Sequence, residues 1–399
     1  MDSARSLTRM FREAVSFSQD LSAWAVGSVT DLSYLFGLDV HFDADLSLWD
    51  VGASASFANT FYSAARFHAN ISQWDVSRGT DFSYMLYGLQ TFDFDLSGWD
   101  VSRATALDLM FWGTRAFNST LFHWDVANAR SMLGVFSTTY AFDADISEWD
   151  VGQVEDFSYA FRNTRSFNRD LSGWDVSSAT NMLQMFHGAS AFNGDISGWN
   201  IRSLLDMSNL FQNVIAFNRP LNDWDTSSAT LMKGMFKGRA PMKHEIDQGT
   251  ASYTYGAYNH ALNDWDVSNV LDLSEMFSIS LFNADIGGWD TGSVTTMKAM
   301  FFKTLRFNVD IGNWDTRNVL TVQDMFQEAA AFNVDIGTWD VTGVDDFSFM
   351  FAGAASFDQN LDAWAGTIDP DAELDFMFAE SGLSRPFFCW SLSQQSRIG

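Results

Sequence analysis

Tryptophan returns at a fixed interval along almost the whole chain, and no other feature restricts the fold so tightly. The ladder runs Trp24, Trp49, Trp74, Trp99, Trp124, Trp149, Trp174, Trp199, Trp224, Trp265, Trp289, Trp314, Trp339 and Trp364. Every gap is 25 residues except one of 41 after Trp224 and one of 24 after Trp265. Units of this length cannot bury an apolar face alone, so neighbours must stack into a solenoid. An array growing along one axis lets all 399 residues belong to one domain without a spherical core.

With Trp as position 1, the unit has two halves. Position 9 is apolar (Leu32, Phe57, Met182, Met207), and positions 12 and 13 read Met-Phe, as at Met110-Phe111, Met185-Phe186 and Met325-Phe326. Position 16 is often small (Ala64, Ala189, Ala329). Offsets of three, four and seven predict a short helix with these residues on one stripe. Ser or Thr at position 4 (Ser77, Ser177, Thr342) suits its N-cap, and Gly or Asn at position 15 (Gly88, Asn163, Gly188) suits a left-handed C-cap.

In the other half, Trp and Val at positions 1 and 3 alternate with Asp at position 2, which predicts a strand. Its I-x-x-W-x-V spacing matches the apolar core of a leucine-rich repeat. The expected fold class is therefore α/β. It is a leucine-rich-repeat-like right-handed solenoid of about 14 coils, with a parallel sheet on one face and short helices on the other.

Phe at position 19 (Phe42, Phe67, Phe167, Phe192, Phe357) is expected to close each coil, and Asn at position 20 (Asn118, Asn168, Asn333) to satisfy backbone groups between coils. The array is expected to fill residues 1–364, beginning mid-repeat, with an insertion at 243–258. Met242 is expected to take the coil-closing place just before that insertion. Residues 365–399 read as an atypical capping repeat and tail.

The charge of −27 argues against nucleic acid and against docking on anionic lipid, both of which need clustered Lys and Arg. A lone cysteine, Cys389, permits no intrachain disulfide, and no apolar run reaches the length of a membrane span. No phosphate loop, nucleophile elbow, zinc-protease motif or Cys-His pair is present, so no enzyme is nominated.

Two features stand out as candidate binding groups. One is the Asp following each Trp: Asp50, Asp75, Asp100, Asp125, Asp150, Asp175, Asp225, Asp266, Asp290, Asp315 and Asp340. Stacked like charges need compensation. Either each carboxylate accepts local backbone hydrogen bonds, or the row attracts calcium or another cation. No dedicated metal site or cofactor is expected, and His244, Glu245 and His260 fit no standard metal spacing. The other feature is the insertion, where Tyr253, Tyr255 and Tyr258 follow Lys233, Lys237 and Arg239. Tyrosine beside basic residues suits contact with a protein or glycan.

The recurring F-N-x-D-I/L-S-x-W-D-V-S…M-F pattern, carried by Phe167-Asn168, Asp170-Leu171, Trp174-Asp175-Val176-Ser177 and Met185-Phe186, resembles the repeat of BspA-type leucine-rich-repeat surface proteins. The same repeat is found in mycoplasma-type lipoproteins. The resemblance implies an extracellular or cell-surface protein used for adhesion or as a structural scaffold, with a protein or glycan partner and no catalytic residues. Two other readings are an acidic calcium-binding scaffold, and a repeat fragment of a larger protein whose activity lies elsewhere.

Overall fold

The structure, a computed structural model, describes residues 4–14, 16–17 and 19–384. Cys389 and the end of the expected capping segment lie outside the described residues. The chain forms two compact units, Met1–Trp199 and Asn200–Gly399.

Within each unit the repeats do stack, but they contain neither the helix nor the sheet that the pattern predicts. Among the described residues the helices are only α1, Lys243–Asp247, and a short 3-10 turn at Asp362–Trp364. Both lie outside the expected helical stripe. The expected α/β solenoid, with helices on one face and a parallel sheet on the other, is therefore overturned. Among the described residues parallel pairing takes the form of isolated bridges, nearly all of them at position 8, such as Asp31↔Ser56, Ser131↔Asp156 and Asp156↔Asn181 in the first unit. These bridges open the segment expected to be helical, not the expected strand.

The backbone of that segment explains the difference. In the repeat beginning at Trp149, the N–H groups of Phe157, Tyr159 and Phe161 donate to Asn181, Leu183 and Met185 of the next repeat, each at 2.9 Å. The alternate N–H groups of Ala160, Arg162 and Thr164 close local turns onto Phe157, Tyr159 and Phe161 at 3.0 Å. Every second residue of the run thus bonds across the stack and the others bond within the coil. A helix cannot supply this pattern, because its N–H groups all point along its own axis.

The alternation requires positive φ at positions 11 and 15, as at Tyr159 (φ 60°) and Asn163 (φ 57°). For a residue other than glycine that conformation costs about 1–2 kcal/mol, which the extra cross-stack hydrogen bonds offset. The expected strand fails for a related reason. Turns from position 23 to 1 (Trp174 N–H to the Leu171 carbonyl, 3.0 Å) and from 3 to 6 (Ala179 N–H to Val176, 2.9 Å) use its backbone groups locally. No ladder of paired strands remains available to it.

Side-chain burial follows the repeat closely. Trp49, Trp74, Trp99, Trp124, Trp149 and Trp174 are all buried, and neighbouring indoles stack at Trp49–Trp74 (6.5 Å), Trp99–Trp124 (6.4 Å), Trp124–Trp149 (6.3 Å) and Trp174–Trp199 (6.5 Å). Each indole N–H also donates to a carbonyl 28 residues earlier, such as Trp149 to Leu121 and Trp174 to Ile146, both 3.0 Å. Phe161 packs on Phe167 at 4.4 Å and on Trp174 at 6.0 Å, so three aromatic columns fill the interior. The second unit repeats this packing: Trp289, Trp314 and Trp339 stack at 6.2 and 6.3 Å.

A fourth column stands at the surface. The Asn168 side-chain Oδ1 accepts the Asn193 backbone N–H at 2.7 Å, and in the second unit the Asn308 Oδ1 accepts the Asn333 N–H at 2.8 Å.

Candidate functional site

The aspartates after tryptophan are placed by their own turns. In all eleven, Oδ1 accepts the backbone N–H two residues on, as in Asp75–Ser77 (3.1 Å), Asp175–Ser177 (3.0 Å) and Asp266–Ser268 (3.0 Å). The remaining eight do the same at Asp50, Asp100, Asp125, Asp150, Asp225, Asp290, Asp315 and Asp340. These are Asx-turns, which compensate each carboxylate one by one.

Hydrogen bonds from the Ser77, Ser102, Ser177 and Ser227 hydroxyls and N–H groups hold Asp75, Asp100, Asp175 and Asp225 below the usual carboxylate range. Thr342 does this for Asp340, and the Arg317 side chain for Asp315. Among the described residues no group of three or more His, Cys, Asp or Glu side chains converges as a metal would require. Glu245 is held by Arg239 at 2.6 and 2.7 Å.

The insertion is where the second unit departs from repetition. Arg239 and Thr254 pair antiparallel, their N–H and C=O groups exchanging bonds of 2.8 and 2.9 Å, so the excursion opens and closes at one point. Helix α1 lies within it. Met242, expected to close the coil, is instead about half exposed, and Tyr258 takes that place. Tyr258 is 3% exposed, packs on Phe236 at 4.2 Å, and stacks between Phe217 (6.0 Å) and Phe282 (6.4 Å). Burial pushes its phenol pKa up. Of the three insertion tyrosines, Tyr258 is thus core. Tyr255 is half-buried and Tyr253 is exposed.

Tyr253 leans back over the coils and closes one side of a cavity of about 290 Å³. The other walls include Lys237, Glu275, Lys298, Phe302 and Asp324. Lys237 pairs with Glu275 at 2.8 Å. Beside the cavity, the Lys303 ammonium lies 4.5 Å from the Tyr253 ring centre and 5.3 Å from that of Phe302, and it pairs with Glu328. This cation–π contact pins the insertion to the stack. Burial holds the Asp324 carboxyl above its ordinary range, against the opposing pull of Lys298.

Sequence reasoning found Tyr253 but missed Glu275, Lys298, Phe302 and Asp324. These occupy positions 11, 10, 14 and 11 of their repeats, outside the apolar stripe of positions 9, 12, 13 and 16 that drew attention in the sequence.

A family model described as "Mycoplasma protein of unknown function, DUF285" matches residues 1–97, 55–148, 80–196, 131–249 and 247–364. The chain belongs to this family. The overlapping matches make it a repeat protein of mycoplasma type from residue 1 to residue 364. No curated protein matches the chain. No helix among the described residues is long and apolar enough to cross a membrane.

Proposed function

We propose that this DUF285 protein is a non-enzymatic recognition scaffold, with the regular stack as support and the cavity beneath Tyr253 as the contact site. The observation that carries this reading is the cavity itself. It joins an exposed tyrosine, a phenylalanine, the Lys237–Glu275 pair and the charges of Lys298 and Asp324. A small concave site with apolar walls and a few polar groups is the usual form of a binding site.

The repeat's likeness to BspA-type surface proteins supports placing the scaffold outside the cell, in contact with a protein or glycan partner. The experiment is a binding screen of the intact chain on glycan and extracellular-protein arrays, repeated with Tyr253→Ala and Phe302→Ala. The reading expects binding that both variants weaken while the melting temperature holds. Binding that neither variant alters would overturn it.

A further inference from the structure

Tyrosine is distributed in this chain in a way that core packing does not require. The aromatic columns use Phe and Trp, and of nine tyrosines only Tyr258 is buried. In the first unit, Tyr34, Tyr84 and Tyr159 occupy position 11, and Tyr62 and Tyr87 occupy position 14. All five are half-buried. Position 14 of the next repeat is Trp112, also half-buried. The fold does not demand an aromatic ring at these positions; at position 14 the same unit elsewhere accepts Arg12, Gly37, Ser137 and His187.

Four of these rings form one patch. Tyr87 lies 4.8 Å from Tyr62, 5.7 Å from Tyr84 and 6.1 Å from Trp112. Tyr62 meets Tyr84 at 70° and Tyr87 meets Trp112 at 15°, so the surface is stepped and not a closed stack. Position 15 beside it is Gly88 and Gly113, both with positive φ (77° and 72°), and no Cβ screens the rings there. Asp108 sits half-buried next to Tyr84 and, after burial itself, raises that phenol's pKa.

Two other tyrosines of the same unit already carry arginine. At Tyr34 the guanidinium carbons of Arg9 and Arg12 lie 5.2 and 5.4 Å from the ring centre. At Tyr140 those of Arg115 and Arg165 lie 5.2 and 4.3 Å away. Among the described residues, Tyr62, Tyr84, Tyr87 and Trp112 have no such cation. The chain's charge of −27 would draw a basic partner toward them and repel nucleic acid. Tyr, Trp and neighbouring charge are also the composition of binding hot spots.

We propose that the patch of Tyr62, Tyr84, Tyr87 and Trp112 binds an arginine-bearing segment of a protein partner, with guanidinium groups on the bare rings and Asp108 as the nearby counter-charge. This surface is separate from the cavity at Tyr253, and either assignment can fail without the other.

The test is a fluorescence titration of the full chain with an arginine-rich peptide and with the same peptide carrying citrulline, which keeps the shape and removes the charge. It is repeated for Tyr87→Phe, Tyr87→Ala and Trp112→Ala, with melting temperatures recorded. The proposal expects binding roughly tenfold weaker for citrulline, retained in Tyr87→Phe and weakened in both alanine variants. Equal binding of the two peptides would overturn it. Unchanged binding in Tyr87→Ala would show diffuse charge attraction and also overturn it. Loss in Tyr87→Phe would assign recognition to the hydroxyl, as for a sugar, and refute the cation. Should an alanine variant fail to fold, Tyr87→Leu, which keeps apolar bulk without a ring face, takes its place: weakened binding is expected, and unchanged binding would overturn the proposal.

Discussion

The repeat that begins at Trp149 and the one that begins at Trp224 differ by a gap of 41 against 25, or 16 residues, yet their interiors are nearly the same. In the first, Phe161 packs on Phe167 at 4.4 Å, and Trp149 stacks on Trp124 at 6.3 Å. In the second, Phe236 packs on Tyr258 at 4.2 Å, and Trp224 stacks on Trp265 at 6.4 Å. The added residues leave at Arg239 and return at Thr254. What defines a coil is therefore the set of buried rings and the cross-stack hydrogen bonds, not the number of residues between them. A surface turn absorbs extra chain at small entropic cost.

The largest expected effect tests whether the two repeats are equally strong. Trp149→Ala and Trp265→Ala should each lower stability by about 3–5 kcal/mol, because each removes a buried ring whose N–H bonds to the previous coil, at 3.0 and 2.7 Å. Chemical denaturation of both variants checks this. A much smaller loss at Trp265 would break the equivalence and mark the interrupted coil as looser.

Asp39 offers a sharper irregularity. It fills position 16, where Thr114, Thr139 and Thr164 donate hydroxyls to carbonyls 28 residues earlier at 2.7–2.9 Å. Asp39 is fully buried and its Oδ2 has no partner. Asp39→Thr should stabilise by about 1–3 kcal/mol at neutral pH.

Burial holds the Asp39 carboxyl above its ordinary range, with the His41 and Phe42 N–H groups opposing. The native state therefore binds this proton more tightly than the unfolded chain does. The cost of the aspartate is full above its folded pKa and shrinks as pH falls through that value. The advantage of the variant should shrink in step, measured by melting at a series of pH values. The Asx-turn aspartates with lowered values, such as Asp75 and Asp175, run the opposite way. Their stabilisation is present above the unfolded carboxylate range and is lost as pH falls through their folded values.

The surface ladder should matter less. Asn168→Ala and Asn259→Ala each remove one acceptor, for the N–H groups of Asn193 and Asn283 at 2.7 Å. Each should cost about 1 kcal/mol, and similar values would extend the equivalence of regular and interrupted coils to the surface. The smallest effect is expected from replacing residues 241–252 with two glycines. Stability should change by less than about 1 kcal/mol, read from the denaturation midpoint, while the cavity at Tyr253 is opened.

Much of the interior was legible in the sequence, and little of the backbone was. Trp, Val, Met and Phe recur at fixed places because burial selects side-chain type at each position, so the ring columns could be read directly. The left-handed residue at position 15 was also visible where Gly88, Gly113 and Asn163 occupy it. At position 11 the same conformation falls on Tyr34, Leu109, Tyr159 and Gln184, types that carry no turn signal. A run of turns with apolar residues at positions 9, 12, 13 and 16 has the same period as a helix, so the pattern could not separate the two. The place of Tyr258 was missed because counting residues put Met242 there. The cavity and the tyrosine patch were missed because their residues are adjacent only once coils are stacked.

The claim on which all of this depends is that alternate amides of positions 9 to 15 bond to the next repeat. Scalar couplings across hydrogen bonds, measured by NMR on the isotope-labelled chain, read it directly. The structure predicts a coupling between the Tyr159 amide nitrogen and the carbonyl carbon of Leu183, its acceptor at 2.9 Å. A coupling from Tyr159 to Glu155 instead, four residues earlier as in an α-helix, would contradict it.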